Sequence, residues 1–101
     1  MKKIINGKMY NTETADWIAN YWNQRSSTDF RHVDENLYRK KTGEFFLQGE
    51  GGPLTSYARA CGNAYCSGEN IRPLTEDEAR EWLEEYGTAD EYIRCFGEPE
   101  E

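Results

Sequence analysis

Two helix-start patterns that follow one another constrain the last quarter of the chain. Thr75 is followed three residues later by Glu78, and Thr88 is followed in the same way by Glu91. In such a capping box the threonine side chain accepts a hydrogen bond from the backbone of the third residue, whose own side chain accepts one from the threonine backbone. A glycine closes each segment, as is common where helices end. The pattern predicts two short helices joined by a very short turn.

The apolar residues of this region recur at the helical period, which predicts the faces that the two helices bury. In the first helix they stand at positions i, i+3, i+4 and i+7. The predicted inward-facing residues are Ala79, Trp82, Leu83 and Tyr86 in the first helix and Tyr92, Ile93 and Phe96 in the second.

The formal charge of −7 is concentrated in the same region. Residues 74–101 carry two basic and eleven acidic residues, whereas residues 1–73 carry ten basic and eight acidic ones. An acidic segment repels nucleic acid and speeds encounter with a basic surface. Charged faces usually only keep a protein soluble, but here few basic residues can neutralise the acids. We therefore predict a protein partner with a basic surface and no direct nucleic-acid binding. The predicted partner-binding acids are Asp77, Glu78, Glu81, Glu84, Glu85, Asp90 and Glu91.

The first half of the chain has the pattern of short β-strands. Asn6-Gly7 supplies the backbone angles of a two-residue turn and predicts a hairpin over residues 3–10. Residues 30–41 and 44–50 flank Thr42-Gly43 and predict a second hairpin.

Residues 14–22 fit two patterns. Their apolar positions match a helical stripe and also a strand alternation, and the β-branched and aromatic content favours a strand. Trp17 and Trp22 in this segment are candidates either for the core or for contact with a partner, where tryptophan is often an energetic centre.

The middle of the chain predicts less regular structure. Residues 48–53 include four glycine or proline residues and are expected to end the strand before them. Residues 54–60 are expected to form a turn or two of helix, followed by a loop through residue 70. The predicted fold class is α+β, with an N-terminal antiparallel sheet of three to five short strands followed by two short acidic helices that cover one face.

The length of 101 residues predicts one domain, over residues 1–97, with a frayed acidic tail at 98–101. The chain is 37% hydrophobic and 14% aromatic, so we expect a core built from a few large rings. No apolar run approaches the roughly 20 residues of a membrane span, and the N-terminus lacks the pattern of a signal peptide. We therefore expect a cytoplasmic protein without membrane contact, as a monomer or a homodimer.

The sequence offers little to catalysis or to metal binding. The single histidine, His32, is expected on the surface of a strand. Cys61, Cys66 and Cys95 are an odd number without a framework spacing, which favours free thiols, and they lack the paired spacing of a zinc site. We expect a non-enzymatic protein with no catalytic residues, no metal and no cofactor.

Three segments resemble a family of small acidic proteins carried on plasmids, conjugative elements and phages of Gram-positive bacteria. The resemblance rests on KIINGKMYNTETA (3–15), LYRKKTGEFFLQGEGGP (37–53) and IRPLTEDEAREW (71–82). That family is similar in size, charge and genetic setting to anti-CRISPR proteins, which disable type II CRISPR effector nucleases. The resemblance implies an inhibitor of a bacterial host's effector, acting either on the basic channel for nucleic acid or on assembly with the guide.

Two alternatives remain open at the level of sequence. The chain could be an interaction or regulatory module of a mobile element with no CRISPR role, binding through an exposed aromatic face. It could also be a small metal-dependent hydrolase or nuclease that uses Asp34 and Glu50.

Overall fold

A computed structural model describes residues 1–101 and contains eight strands followed by two helices. This α+β layout confirms the predicted fold class, with more strands than expected. The elements are β1 (Lys2–Ile5), β2 (Lys8–Asn11), β3 (Asp16–Trp22), β4 (Val33–Arg39), β5 (Phe45–Gly51), β6 (Arg59–Cys61), β7 (Ala64–Cys66), β8 (Gly68–Leu74), α1 (Glu76–Tyr86) and α2 (Ala89–Phe96).

A four-stranded antiparallel sheet in the order β3-β4-β5-β8 forms the centre of the molecule. Two separate hairpins, β1–β2 and β6–β7, flank it. The first hairpin turns at Asn6 and Gly7, whose φ angles of 52° and 78° confirm the predicted turn. Residues 16–22 form strand β3, so the preference for a strand in this segment is confirmed.

The two helices pack on one face of the central sheet. Both predicted capping boxes are present, and Gly87 and Gly97 cap the C-terminal ends of α1 and α2. α1 buries three residues, whereas α2 has no fully buried side chain and packs its half-buried Tyr92, Cys95 and Phe96 against the core. The main core consists of Ile18, Ala19, Leu37, Phe45, Leu47, Ala79, Trp82 and Leu83.

The β1–β2 hairpin covers part of the opposite face. Tyr10 of β2 lies against Phe46, with the ring centroids 5.5 Å apart, and Ile71 completes a second buried cluster. The hairpin is only four residues long on each side, and Trp17, Trp22 and Glu50 of this face remain exposed.

The expectations for residues 48–70 were wrong. Strand β5 continues through Gly51, residues 53–57 form turns, and residues 59–74 contain three further strands. The reason lies in the loop that folds back over β5. A Cβ atom at Gly49 would overlap the Tyr57 ring, and one at Gly51 would overlap the Thr55 hydroxyl. These glycines therefore make room for the loop rather than ending the strand.

Two expectations about single residues were also wrong. His32 lies in the turn before β4 and is buried, with Nδ1 2.7 Å from the Asp29 carbonyl oxygen. Cys61 and Cys66 form a disulfide across the β6–β7 hairpin, with 5.9 Å between their Cα atoms, because the turn at Gly62 brings the two strands together. Only Cys95 is a free thiol, and partial burial raises its pKa.

Candidate functional site

Five carboxylates project from the outer sides of the two helices and are defined here as the acidic face. Each is exposed, and none takes part in an ion pair, although five ion pairs occur elsewhere in the chain. Helical periodicity predicts this position for the four acids of α1, since they fall opposite the stripe that packs on the sheet. The acidic face consists of Asp77, Glu81, Glu84, Glu85 and Asp90.

Two further predicted partner-binding residues have a role within the fold. The Glu78 side chain accepts a hydrogen bond from the Thr75 backbone at 2.9 Å, and the Glu91 side chain accepts one from the Thr88 backbone at 2.8 Å. The bond from Thr75 lowers the pKa of Glu78 and so favours its charged form. These carboxylates add to the negative potential but are committed to capping the helices.

The basic residues of the helices do little to neutralise the acidic face. Arg80 pairs with Glu76 at 3.1 Å and lies over the Phe96 ring, 4.7 Å from its centroid. Arg94 is exposed near the C-terminal end of α2 and forms no ion pair. The acidic face is therefore free to meet cations of another molecule.

A cleft of about 410 Å³ separates the two helices next to the acidic face. Leu83, Tyr92 and Ile93 give it an apolar floor, Glu84 lies at its rim, and Pro99 of the C-terminal segment also lines it. The cleft gives the charged surface a place where an apolar side chain could be buried, as at the centre of many interfaces.

Trp17 and Trp22 lie on the side of the sheet that faces away from the helices. Their exposed fractions are 49% and 53%. The structure therefore does not bring them together with the acidic face: the two groups of predicted partner-binding residues occupy opposite sides of the central sheet.

The uncovered part of that side is defined here as the open sheet face. Neighbouring strands place its residues in register, so that they form two rows across the sheet. One row holds three amide side chains, and the other holds Trp22 and three carboxylates, while Trp17 lies beside the amide row. The open sheet face consists of Trp17, Asn20, Trp22, Asp34, Asn36, Gln48, Glu50 and Glu69.

Hydrogen bonds connect these side chains across all four strands. Trp17 Nε1 donates to Asn36 Oδ1 at 3.1 Å, Asn36 Nδ2 donates to Gln48 Oε1 at 3.0 Å, and Gln48 Nε2 donates to Glu69 Oε1 at 3.0 Å. Asn20 Nδ2 also donates to Asp34 Oδ1 at 2.7 Å. The face is held in a fixed arrangement before any ligand arrives, which lowers the entropy cost of binding.

A half-buried carboxylate on the helix side of the sheet, that of Glu35, was not predicted from the sequence. Glu35 Oε1 accepts a hydrogen bond from Trp82 Nε1 at 3.1 Å, and Oε2 accepts one from the Tyr57 hydroxyl. Burial, together with this bond and the charge of Glu35, raises the pKa of Tyr57. The strand alternation places Glu35 on the same face as Leu37, and an acid at a core-facing position is the signal that would have singled it out.

Comparison of the chain with protein-family models, with curated proteins and with solved structures finds no match. The resemblance to mobile-element proteins therefore stays a prediction. Neither helix is long and apolar enough to cross a membrane.

Proposed function

We propose that this protein is a non-enzymatic inhibitor that binds a basic surface of a protein partner through its acidic face. In the specific form that the resemblance implies, it is an anti-CRISPR protein, and the partner is a type II CRISPR effector nuclease. The observation that carries the proposal is the presence of five exposed carboxylates, without ion pairs, on two helices fixed by capping boxes.

The chemistry of such a partner suits this surface. An effector nuclease holds its guide–target duplex in a positively charged channel and contacts mainly the backbone. Carboxylates at fixed positions can take the place of phosphates against the arginine and lysine side chains of that channel. Binding would block either the loading of nucleic acid or the assembly of the effector with its guide.

The test is a DNA-cleavage and pull-down assay with a type II effector, with and without guide RNA. The variant Asp77→Asn/Glu81→Gln/Glu84→Gln/Glu85→Gln should lose inhibition. The matched control neutralises four acids outside the helices, namely Glu13, Asp34, Glu50 and Glu69, and should still inhibit. Wild-type binding should weaken as salt rises from about 0.1 M towards 1 M, because the screening length shortens from about 10 Å to 3 Å.

Two results would refute this proposal. One is the absence of binding to the effector under every condition. The other is equal inhibition by the wild type and by the helix variant, with circular dichroism showing that both remain folded.

A second candidate function is an interaction module of a mobile element with no CRISPR role. It is favoured by the half-exposed Trp17 and Trp22 on a side of the sheet that the helices do not cover. A partner whose capture survives neutralisation of the acidic face but not Trp17→Ala/Trp22→Ala would support it.

A further inference from the structure

The open sheet face combines exposed aromatic surface with a row of like charges. Register places Trp22 opposite Asp34, Asp34 opposite Glu50, and Glu50 opposite Glu69, so that one row crosses all four strands. Since adjacent strands lie about 4.8 Å apart, the three carboxylates span roughly 10 Å.

This row has an unfavourable arrangement within the protein alone. Like charges directly opposite each other on neighbouring strands are destabilising. Hydrogen bonds from neutral amides reach Asp34 and Glu69, but no ion pair involves any of the three carboxylates. Arg59 shares a cleft with Glu50 and Glu69, yet its guanidinium donates to the Ser67 carbonyl oxygen at 3.1 Å.

The tryptophans present hydrocarbon rather than polar atoms to a ligand. Trp22 Nε1 donates to the Arg25 carbonyl oxygen at 2.9 Å, and Trp17 Nε1 donates to Asn36. Both indole N–H groups are therefore occupied within the chain, and each tryptophan residue remains about half exposed. The face of an indole ring attracts a cation, with arginine the commonest partner.

We propose that the open sheet face binds an extended, arginine- or lysine-rich segment of a protein partner. Its cationic side chains would lie along the carboxylate row, and one of them would stack on Trp22. Alternate residues of an extended chain are about 6.8 Å apart on one side, so two such cations match a row of roughly 10 Å.

Charge complementarity decides the kind of occupant. A cationic segment removes the repulsion along the row, whereas a neutral oligosaccharide would accept the same aromatic contacts and leave the repulsion in place. Nucleic acid would be repelled by the carboxylates. The proposal rests on this chain being a binding protein, but it does not depend on the acidic face, which lies on the other side of the sheet.

The direct test is calorimetric titration of the full chain with a synthetic peptide of alternating arginine and serine residues. The same peptide with glutamine in place of arginine, and a neutral oligosaccharide, serve as comparison ligands. The variant Asp34→Asn/Glu50→Gln/Glu69→Gln should bind the arginine peptide about tenfold more weakly or worse, as expected for the loss of several modest charge contacts. Trp22→Ala should also weaken binding.

The matched control is Asp77→Asn/Glu81→Gln/Glu84→Gln, which changes the net charge equally on the other side of the sheet. It should change the affinity of the open sheet face for the peptide by less than about twofold, since the acidic face lies on the other side of the sheet. Equal losses in both triple variants would mean non-specific attraction and would overturn the proposal. So would equal binding of the glutamine peptide or of the oligosaccharide.

The melting temperature distinguishes a carboxylate row that binds a partner from one that stabilises the fold. Glu50 lies between Asp34 and Glu69, so Glu50→Gln removes the repulsion with both neighbours. The melting temperature of this variant should therefore not fall below that of the wild type, while its affinity for the peptide falls. A lower melting temperature would show that the row supports the fold and would count against the proposal.

The nuclease assay separates the two proposals, because the sheet variant should still inhibit an effector if only the acidic face contacts it.

Discussion

Glu35 connects three parts of the fold through its two carboxylate oxygens. It lies on β4 and accepts hydrogen bonds from Trp82 on α1 and from Tyr57 in the loop over β5. Glu35 forms no ion pair, and each of its two oxygens accepts a hydrogen bond from a neutral donor, so one carboxylate joins β4 to α1 and to the loop. Hydrogen bonds to a charged group contribute more than neutral ones, about 1.5–3 kcal/mol.

The Tyr57–Glu35 bond should make stability depend on alkaline pH. Burial and the neighbouring carboxylate raise the pKa of Tyr57 above its ordinary value of about 10. Between the ordinary and the raised pKa, Tyr57 keeps its phenolic proton in the folded chain and loses it in the unfolded chain. The resulting stability is complete below about pH 10 and is lost as the pH rises towards the raised pKa. Urea unfolding between about pH 8 and pH 11 should therefore show a decline in the free energy of unfolding.

Tyr57→Phe provides the control for this prediction. It should lower the free energy of unfolding at pH 7 by about 1–3 kcal/mol, since one half-buried hydrogen bond to a carboxylate is lost. It should also make the alkaline decline shallower. A decline of the same steepness in Tyr57→Phe would assign the effect to other groups.

At the level of elements, the two helices are stabilised by the same local device but contribute differently. α1 buries Ala79, Trp82 and Leu83, whereas α2 buries no residue completely. α1 is therefore part of the core that unfolds cooperatively, whereas α2 packs on the outside of that core.

Removing the two caps should separate these contributions. Thr75→Ala should lower the global free energy of unfolding by about 1 kcal/mol, the usual loss for an N-cap threonine. Thr88→Ala should mainly increase amide exchange within α2 and change global unfolding less, because local opening exposes little core. Hydrogen exchange with urea unfolding would measure both, and equal global losses would contradict the expected difference.

Elements governed by neighbouring residues could be predicted from the sequence, and those governed by distant contacts could not. The capping boxes and the Asn6-Gly7 turn depend on residues within a few positions and were predicted correctly. The run from Gly49 to Gly52 was misinterpreted because entropy alone predicts the end of a strand. What decides its structure is the loop that packs over it, with Tyr57 against Gly49.

The two candidate sites differ in the same respect, because one depends on neighbouring residues and the other on distant contacts. The acidic face follows from helical periodicity, so the sequence placed it. The carboxylate row of the open sheet face depends on the register of β4, β5 and β8, and β8 was expected to be partly a loop. The row therefore depends on strand pairing that places Glu50 between Asp34 and Glu69, which neighbouring residues in the sequence do not determine.

At the scale of the whole molecule, negative charge lies on two opposite sides of a thin body. The molecule measures 49 × 33 × 20 Å, and the central sheet separates the acidic face from the open sheet face. A flat partner can contact only one of them at a time. Both surfaces lack neutralising ion pairs, so the folded chain keeps repulsion that cations in solution should reduce.

The stability of the free protein should therefore rise with salt. On α1, Asp77 and Glu81 are four residues apart, as are Glu81 and Glu85, and each such like-charge pair destabilises a helix by about 0.2–0.5 kcal/mol. Raising NaCl from about 0.01 M to 0.5 M shortens the screening length from 30 Å to a few ångströms. The melting temperature should increase over this range.

The helix variant Asp77→Asn/Glu81→Gln/Glu84→Gln/Glu85→Gln tests where this repulsion lies. It should melt at a higher temperature than the wild type at low salt and respond less to added salt. Neutralising Glu13, Glu98, Glu100 and Glu101 makes the same change in net charge and should leave most of the salt response intact. If the melting temperatures of the two variants responded to salt in the same way, the repulsion would come from the net charge of the chain and not from the acidic face. The acidic face would then lose the local, unneutralised character on which its proposed attraction to a basic partner depends.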